Sequence, residues 1–518
     1  MKNILEYLEK SAEMFPDKIA FSDEFSALTY QGLLLKAQAI GSVLLERCIK
    51  RSPVAVLLDK STECLSALMG VVYSGCFYTV LDVEMPAARM EKILKDLSPA
   101  AVLTDQNHEG QLRKTRFKGP VFLLEDMLSE APDQKALLQA RDKSIDTDPV
   151  YVLFTSGSTG VPKGTVVSHR SVIAYTEWVS ETFKLDENTV FGNQTPFYFS
   201  MSVLDIFSTL RNAATMHIIP KKLFAFPVKL IEYINKLKVN TLYWVPSALS
   251  IVSNWKLFEY VEVPPLKAVL FAGEVMPAKV LNYWISHLKE ALFANLYGPT
   301  EVTDICTYYV INRSFSDTDS IPIGNACNNC DVLVITPDGK EAATDEEGEL
   351  YVRGSFLSMG YYNNPQKTSE NFVQNPMNSH YPEMVYKTGD IVKRNEYGEL
   401  LYITRKDFQI KHMGYRIELG EIEANAYASE NISSCAAIYD AQADQIILFY
   451  QSDSADDLAI SESLRDRLPR YMLPSRLIRL EHMLYNSNGK TDRTRLKILY
   501  ETEYKEAATH GRTDKNPS

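Results

Sequence analysis

Residues 154–164 form the stretch Phe154-Thr-Ser-Gly-Ser-Thr-Gly-Val-Pro-Lys-Gly164, the strongest local signal in the sequence. Its eleven residues include three glycines and four hydroxyl side chains, and Lys163 adds a positive charge. Such a loop presents many N–H and O–H donors and can surround anionic oxygens. It is not a Walker loop, which needs Gly directly before the lysine and Ser or Thr directly after it, because Pro162 and Gly164 flank the lysine here.

Short apolar runs along the first 400 residues predict buried strands, because each is rich in apolar or aromatic side chains and ends at a Gly, Pro or Ser turn. The runs are Val150–Thr155, Thr241–Val245, Ala268–Ala272 and Leu292–Leu296. After the loop, apolar residues recur at helical spacing, and Ser168 stands where a capping residue is expected. These residues are Val172, Tyr175, Val179 and Phe183. The pattern predicts an α/β fold and disfavours a plain Ser/Gly linker, because the loop lies between a strand and a helix.

The sequence changes character near residue 408, after the charged segment Arg405-Lys406-Asp407. We predict a large N-terminal domain of packed α/β sheets over residues 1–406 and a small, mobile α+β domain over residues 407–506. The small domain should contain helices over 419–430 and 458–468 and strands over 436–439 and 445–450. The polar residues 507–518 lack periodicity and are expected to be disordered.

Composition excludes several classes of protein. Hydrophobic residues make up 45% and charged residues 23% of the 518 residues, a balance typical of globular proteins. We expect no nucleic-acid partner, because the formal net charge is −12, and no membrane span, because no apolar stretch is long enough. Cys327 and Cys330 form a lone C-x-x-C pair without the further ligands of a zinc site, so reduced thiols and a cytoplasmic location are expected.

Further motifs follow the loop in a fixed order. They are Asn295-Leu-Tyr-Gly-Pro-Thr-Glu301, Tyr386-Lys-Thr-Gly-Asp390, Asp407-Phe-Gln-Ile-Lys411, Gly414-Tyr-Arg-Ile-Glu-Leu-Gly-Glu-Ile-Glu423 and Asn488-Gly-Lys490. Together with Thr155–Gly164 they resemble the motifs of the acyl- and aminoacyl-adenylate-forming enzymes, a superfamily that includes acyl-CoA synthetases, luciferases and nonribosomal peptide adenylation domains. The resemblance spans nearly the whole chain. It implies attack of a carboxylate on the α-phosphorus of ATP, with Mg²⁺ as cofactor and release of pyrophosphate.

The resemblance also assigns roles to individual residues. Catalytic roles fall to Lys490, Glu301 and Thr155, and Glu301 is the expected Mg²⁺ ligand because Mg²⁺ prefers oxygen donors. Tyr297 is expected to stack on adenine, Asn295 to bond the base edge and Asp390 to accept the ribose hydroxyls. The complete expected set of ATP-binding residues is Thr155, Ser156, Gly157, Ser158, Thr159, Gly160, Lys163, Asn295, Tyr297, Gly298, Thr300, Asp390, Arg405 and Lys490.

A hinge is implied at Asp407, about which the small domain of this superfamily rotates between its two half-reactions. One pose places Lys490 inward for adenylation, and the other places the Gly414 region inward for thioester formation. Thr404 replaces the glycine that the family usually has before Arg405, so the local backbone is expected to differ there.

Several motifs of the chain resemble those of amino-acid adenylation domains, but the pocket for the acid departs from their pattern. Those domains have Phe-Asp-x-Ser where this chain has Phe199-Ser-Met-Ser202, and their Asp pairs with the α-ammonium group of the substrate. Because an unpaired buried ammonium is costly, the substrate either lacks an α-amino group or places its amine near Asp304. Asp304 pointing to solvent is a further alternative. The expected lining is Ser200, Met201, Leu204, Trp244, Leu270, Ala272, Gly273, Leu296, Asp304 and Ile305.

The resemblance favours a stand-alone enzyme that loads the phosphopantetheine thiol of a separate carrier protein, because no carrier serine motif follows Lys490. A D-alanine–carrier-protein ligase and an acyl-CoA synthetase are alternatives. A nucleotide-binding regulator without catalysis is disfavoured by the retained Lys490, Glu301 and Asp390.

Overall fold

The computed structural model describes residues 1–47, 51–157, 161–407, 409–428, 432–452, 457–485 and 491–505. Ser158, Thr159, Gly160, Lys490 and residues 507–518, all named in the sequence predictions, lie outside these ranges. By contact density the chain divides into two compact units. The first contains residues 1–83, 93–155 and 163–407, and the second contains residues 84–92, 156–162 and 408–518.

The strands before residue 408 are β1 (Ile19–Ser22), β2 (Ala27–Thr29), β3 (Pro53–Leu57), β4 (Phe77–Val80), β5 (Ala101–Thr104), β6 (Val121–Leu123), β7 (Pro149–Thr155), β8 (Lys163–Ser168), β9 (Val190–Asn193), β10 (Thr215–Ile218), β11 (Thr241–Trp244), β12 (Ala268–Phe271), β13 (Leu292–Tyr297), β14 (Thr307–Val310), β15 (Asn325–Ala326), β16 (Cys330–Ile335), β17 (Gly348–Gly354), β18 (Gly360–Tyr361), β19 (Phe372–Gln374), β20 (Met384–Arg394) and β21 (Leu400–Arg405). The later strands are β22 (Gln409–His412), β23 (Tyr415–Glu418), β24 (Ser434–Asp440), β25 (Gln445–Gln451) and β26 (Arg476–Arg479).

The helices are α1 (Leu5–Met14), α2 (Tyr30–Glu46), α3 (Thr62–Tyr73), α4 (Ala87–Leu97), α5 (Glu109–Leu112), α6 (Leu124–Leu128), α7 (Gln134–Asp142), α8 (His169–Thr182), α9 (Ser202–Asn212), α10 (Pro227–Lys236), α11 (Pro246–Asn254), α12 (Ala278–His287), α13 (Pro365–Asn371), α14 (Leu419–Tyr427), α15 (Asp457–Arg465) and α16 (Arg493–Leu499). Within the described ranges, no helix combines the length and apolar character needed to cross a bilayer.

Three sheets build the first unit. One has the order β15-β14-β13-β12-β11-β9-β10-β1-β2, and the second has the order β18-β8-β7-β4-β3-β5-β6. Their centres are parallel, since β9 to β13 pair in parallel in the first and β3, β4, β5 and β7 do so in the second. The third sheet is antiparallel, with the order β16-β17-β20-β19, and β21 also pairs with β20, along residues 390–394. The predicted α/β fold class is therefore confirmed.

The predicted apolar runs become β7, β11, β12 and β13, and their residues enter one hydrophobic core. Helix α8 also begins as predicted, because the Ser168 hydroxyl accepts a hydrogen bond from the Ser171 N–H at 3.2 Å. A strand was missed, however. Residues Lys163–Ser168 form β8, which pairs antiparallel with β7, so the loop joins two strands rather than a strand and a helix. Thr165 and the valines after it suit a strand because β-branched side chains favour extended backbone.

The second unit contains two small sheets, the hairpin β22-β23 and the three-stranded β24-β25-β26. Strands β24 and β25 cover the two predicted strands, and α14 and α15 cover most of the two predicted helices. Helix α15 ends at Arg465, three residues before the predicted end, because the chain approaches Pro469 and a Pro disfavours helical geometry in the residue before it. The mobility of this unit and the exact domain boundaries stay predictions.

Candidate active site

A carboxylate of the third sheet is held by an arginine and by a tyrosine at the end of β13. Asp390 is in β20, and its Oδ1 accepts a hydrogen bond from Arg405 Nη1 at 2.6 Å. Its Oδ2 accepts a hydrogen bond from the Tyr297 hydroxyl at the end of β13. Burial, followed by the charge of Asp390, raises the pKa of Tyr297 well above its ordinary value, so the phenol stays protonated and can donate. The predicted adenine and ribose residues are thus brought together.

Arg405 also links this carboxylate to the predicted hinge. Its Nε and Nη2 donate to the two oxygens of Asp407 at 2.6 and 2.9 Å, and Nη2 donates to the Thr388 carbonyl at 3.1 Å. The Arg405 side chain is 9% exposed, whereas Asp407 is half exposed. A planar guanidinium suits this role because it can satisfy two carboxylates in one fixed geometry.

The predicted magnesium ligand is fully buried and paired. Glu301 Oε1 accepts a hydrogen bond from the Tyr361 hydroxyl at 2.7 Å and lies 3.3 Å from Lys163 Nζ. The lysine also lies over the Tyr361 ring, 5.1 Å from its centroid. The loop of Glu301 is held in an unusual conformation, since Thr303 has a φ of 71° and its hydroxyl donates to the Phe356 carbonyl at 2.8 Å. A positive φ is rare for a β-branched residue and is common at functional loops.

The described part of the glycine-rich loop shows features that suit an anionic ligand. Thr155 ends β7, and its Oγ1 is buried without a hydrogen-bond partner among the described residues. Such an orphaned donor needs an explanation, and a phosphate oxygen supplies one. A Cβ at Gly157 would collide with the Val161 carbonyl oxygen, which explains a glycine there. Ser156 has other partners in the second unit, since its hydroxyl donates to the Arg416 carbonyl at 2.6 Å.

Two other predicted nucleotide residues have structural partners. Asn295 is in β13, and its side-chain amide donates to the Pro322 carbonyl at 2.8 Å, so that N–H is already used. A Cβ at Gly298 would collide with the backbone of Asp304 and Ile305, so the close approach of this loop to itself requires glycine. Thr300 lies 3.3 Å from Ser200, measured between the two hydroxyl oxygens.

The predicted acid-pocket residues lie at the carboxyl ends of β11, β12 and β13 and at the start of α9. Parallel pairing aligns these strands, so Trp244, Leu270 and Leu296 come from neighbouring strands. Ligands of α/β sheets commonly bind at this edge. A Cβ at Gly273, which has a φ of 92°, would lie 3.3 Å from the sulfur of Met201. The other predicted members, Leu204, Ala272 and Ile305, are buried.

Asp304 is buried. The alternative prediction that its side chain points to solvent is therefore wrong. The residue is 1% exposed, and its Oδ2 accepts hydrogen bonds from the hydroxyls of Tyr175 at 2.7 Å and Tyr243 at 3.0 Å. Burial raises the pKa of Asp304 to about 7, although the two tyrosine hydroxyls and the nearby Ser200 hydroxyl act in the opposite direction.

Three tyrosines at the site were missed from the sequence. Tyr361 contacts Glu301, while Tyr175 and Tyr243 contact Asp304. Tyr175 was assigned to the apolar stripe of a helix and Tyr243 to a buried strand, and both assignments are confirmed. The available signal in the sequence was the tyrosine side chain itself, because the hydroxyl of a buried Tyr usually has a polar hydrogen-bond partner.

Comparison with known proteins gives the same family along most of the chain. The family model described as "AMP-binding enzyme" matches residues 8–362. The chain is 31% identical over 503 residues to tyrocidine synthase 1 of Brevibacillus parabrevis, covering 96% of this chain but 45% of that protein. It is 30% identical over 511 residues to a D-alanine–D-alanyl carrier protein ligase of Bacillus thuringiensis, covering 95% of this chain and 98% of that ligase.

A solved structure supports the fold. The adenylation domain AlmE of Vibrio cholerae, in complex with glycyl-adenosine-5'-phosphate, superposes with a TM-score of 0.80 at 21% identity. The match covers 96% of this chain and 98% of that one. The family model and the D-alanine–D-alanyl carrier protein ligase match show that the chain belongs to the AMP-binding enzyme family of adenylate-forming ligases.

Proposed function

We propose that this chain uses ATP to activate a small carboxylic acid as its acyl-adenylate and then transfers the acyl group to the phosphopantetheine thiol of a carrier protein. The observation that carries the proposal is the joint placement of Tyr297 and Glu301, which lie at and just after the end of β13. Tyr297 contacts the carboxylate of Asp390, and Glu301 contacts Lys163 beside the glycine-rich loop. That arrangement suits a nucleotide whose ribose and phosphates lie along the loop.

The reaction forms a bond between a carboxylate oxygen of the acid and the α-phosphorus, and it breaks the bond from that phosphorus to the bridging oxygen of pyrophosphate. The protein acts mainly by positioning and by stabilising negative charge. Asp390 has two oxygens that can accept the ribose hydroxyls once their present donors shift. Lys163 and the Thr155 hydroxyl would contact phosphate oxygens, the lysine as a charge and the threonine as a donor.

Mg²⁺ fits the donor set near Lys163. Glu301 supplies carboxylate oxygens, and Mg²⁺ is commonly held by one or two carboxylates together with phosphate oxygens and water. When bound, the ion would offset charge on the phosphates. Lys163 beside Glu301 adds a second positive charge to the same place. We therefore assign Glu301 as the protein ligand of Mg²⁺.

The substrate is proposed not to be an ordinary L-α-amino acid. Ser200, at the position where similar domains have an acid, is neutral, and its hydroxyl lies 3.3 Å from that of Thr300. The other side chains predicted to line the pocket are apolar, or their polar groups already have hydrogen-bond partners. Trp244 donates its indole N–H to the Gly192 carbonyl at 2.7 Å and packs against the Phe224 ring, so it can only fill space. A small acid therefore fits better than a large one.

ATP–pyrophosphate exchange across amino, hydroxy, keto and aromatic acids tests the activity. We expect exchange that depends on one class of small acid and on Mg²⁺. With the best acid, a holo-carrier supplied in trans and CoA are then compared as acceptors. Transfer to CoA alone would favour an acyl-CoA synthetase, strong exchange with D-alanine would favour a D-alanine–carrier ligase, and no exchange with any acid would contradict the proposal.

Substituting the proposed hinge should separate the two half-reactions. Asp407→Pro should impair thioester transfer more than adenylation, because Pro fixes φ at about −65° and restricts rotation. Asp407→Ala is the matched control, since it also removes the carboxylate from Arg405 but leaves φ free. Both rates are measured with one preparation of each variant. Equal losses of both rates in the proline variant, or the same pattern in the alanine variant, would contradict the hinge assignment.

A further inference from the structure

Asp304 is a buried carboxylate held only by neutral donors. The hydroxyls of Tyr175 and Tyr243 come from α8 and β11 and converge on one of its oxygens. Ser200, which precedes α9, lies close enough to lower the pKa of the carboxyl, and its hydroxyl lies 3.3 Å from that of Thr300. Within the described ranges, no lysine, arginine or histidine forms an ion pair with it. Among the residues that the structure describes, the carboxyl therefore has hydrogen-bond donors but no counter-charge for its ionised form.

Asp205 and Lys60 do not provide a counter-charge to Asp304. Asp205, in α9, is 1% exposed and accepts a hydrogen bond from the Asn193 amide at 2.6 Å. Lys60 donates to the Gln194 carbonyl at 2.9 Å, and its charge attracts Asp205. Asp205 and Asp304 repel each other, because the negative charge of Asp304 raises the pKa of Asp205. A second buried carboxyl therefore adds to the cost of a negative charge on Asp304 in this desolvated site.

We infer that Asp304 is the specificity-determining residue for the acid and that the substrate carries a protonated amine away from its α-carbon, at the β or γ position. The inference rests on the proposed function. The amine supplies the missing counter-charge to Asp304. Ser200 is neutral at the position where similar domains have the acid that pairs with the α-ammonium group, so an α-amine would have no charged partner there. An amine one or two carbons further along the chain is displaced from that position and can pair with Asp304.

The alternative is that Asp304 only ties α8 to β11 through the two tyrosines. That role needs an acceptor but no charge. An Asn at this position keeps an oxygen acceptor for both phenols, and its amide can donate to Ser200. The two roles therefore predict opposite results for a neutral, isosteric replacement.

A four-carbon series of acids tests the inference on the unmodified enzyme. Pyrophosphate exchange is measured with butanoate and with 2-, 3- and 4-aminobutanoate, which differ only in the presence and position of the amine. The 3- or 4-amino acid should exceed both butanoate and L-2-aminobutanoate by about 50-fold in kcat/KM, the scale of one hydrogen bond to a charged group. Butanoate or the 2-amino acid matching them would overturn the inference but leave the proposed function intact. Exchange with no acid at all would overturn both.

Variants then identify the residue responsible. Asp304→Asn should lower kcat/KM for the preferred amino acid about 50-fold and change the rate with butanoate less than about threefold. Tyr243→Phe is the matched control, because it removes one donor from Asp304 and keeps the charge. The double variant Ser200→Asp/Asp304→Asn moves the charge and should shift preference toward 2-aminobutanoate. Equal losses for butanoate and the amino acid in Asp304→Asn would assign a structural role instead.

Discussion

Replacing Lys490 by alanine lowers acyl-adenylate formation at least about 10²-fold, the scale for losing one transition-state charge contact. The expectation rests on the Asn488-Gly-Lys490 motif, whose resemblance to the family's motif implies a contact of the lysine with the substrate carboxylate and the α-phosphate. Negative charge grows on these oxygens as the new bond forms, and a cation held there stabilises it. Pyrophosphate exchange at saturating acid and ATP is the direct measurement.

Two comparisons make the Lys490 result specific. Lys497→Ala removes an exposed lysine in α16 and should leave exchange unchanged. Transfer from chemically supplied acyl-adenylate to the carrier should survive in Lys490→Ala, because that half-reaction is expected to use the other pose of the small domain. Near-normal exchange in Lys490→Ala would remove this residue from the mechanism.

Replacing Glu301 by glutamine should lower exchange by about 10²-fold or more, because the substitution removes a buried charge from the proposed phosphate and Mg²⁺ site. Lys163, which is 11% exposed, would lose its anionic partner 3.3 Å away, and the proposed Mg²⁺ ligand would become a neutral amide. The apparent affinity for Mg²⁺ should fall with the rate. Titration of Mg²⁺ at fixed ATP measures both effects.

Tyr361→Phe is the matched control for Glu301. It removes the 2.7 Å hydrogen bond to the carboxylate but keeps the charge, so its exchange rate should fall no more than about tenfold. Thermal melts of both variants establish that each is folded. A Glu301→Gln variant with wild-type rate and wild-type Mg²⁺ dependence would contradict the assignment of Glu301 to the metal.

The sequence alone predicted the class of reaction and much of the local structure. Strands β7, β11, β12 and β13 and the start of α8 at Ser168 follow from apolar runs, turn residues and capping, which act over a few neighbouring positions. The ordered motifs identified the superfamily, which the matching family model confirms. Strand β8 was missed because its formation depends on pairing with β7 as much as on its own residues.

The partners of the site residues were decided by the tertiary structure. Asp304 is held by tyrosines 129 and 61 residues away, and Glu301 by a tyrosine 60 residues away. Tyr297, whose stacking on adenine stays a prediction, belongs to a core cluster and donates to Asp390, 93 residues later. No local pattern encodes these contacts, because they depend on strand order, register and the burial of each side chain. The pattern of residues thus determined the chemistry, whereas packing determined that Asp304 is buried against the hydroxyls of two tyrosines.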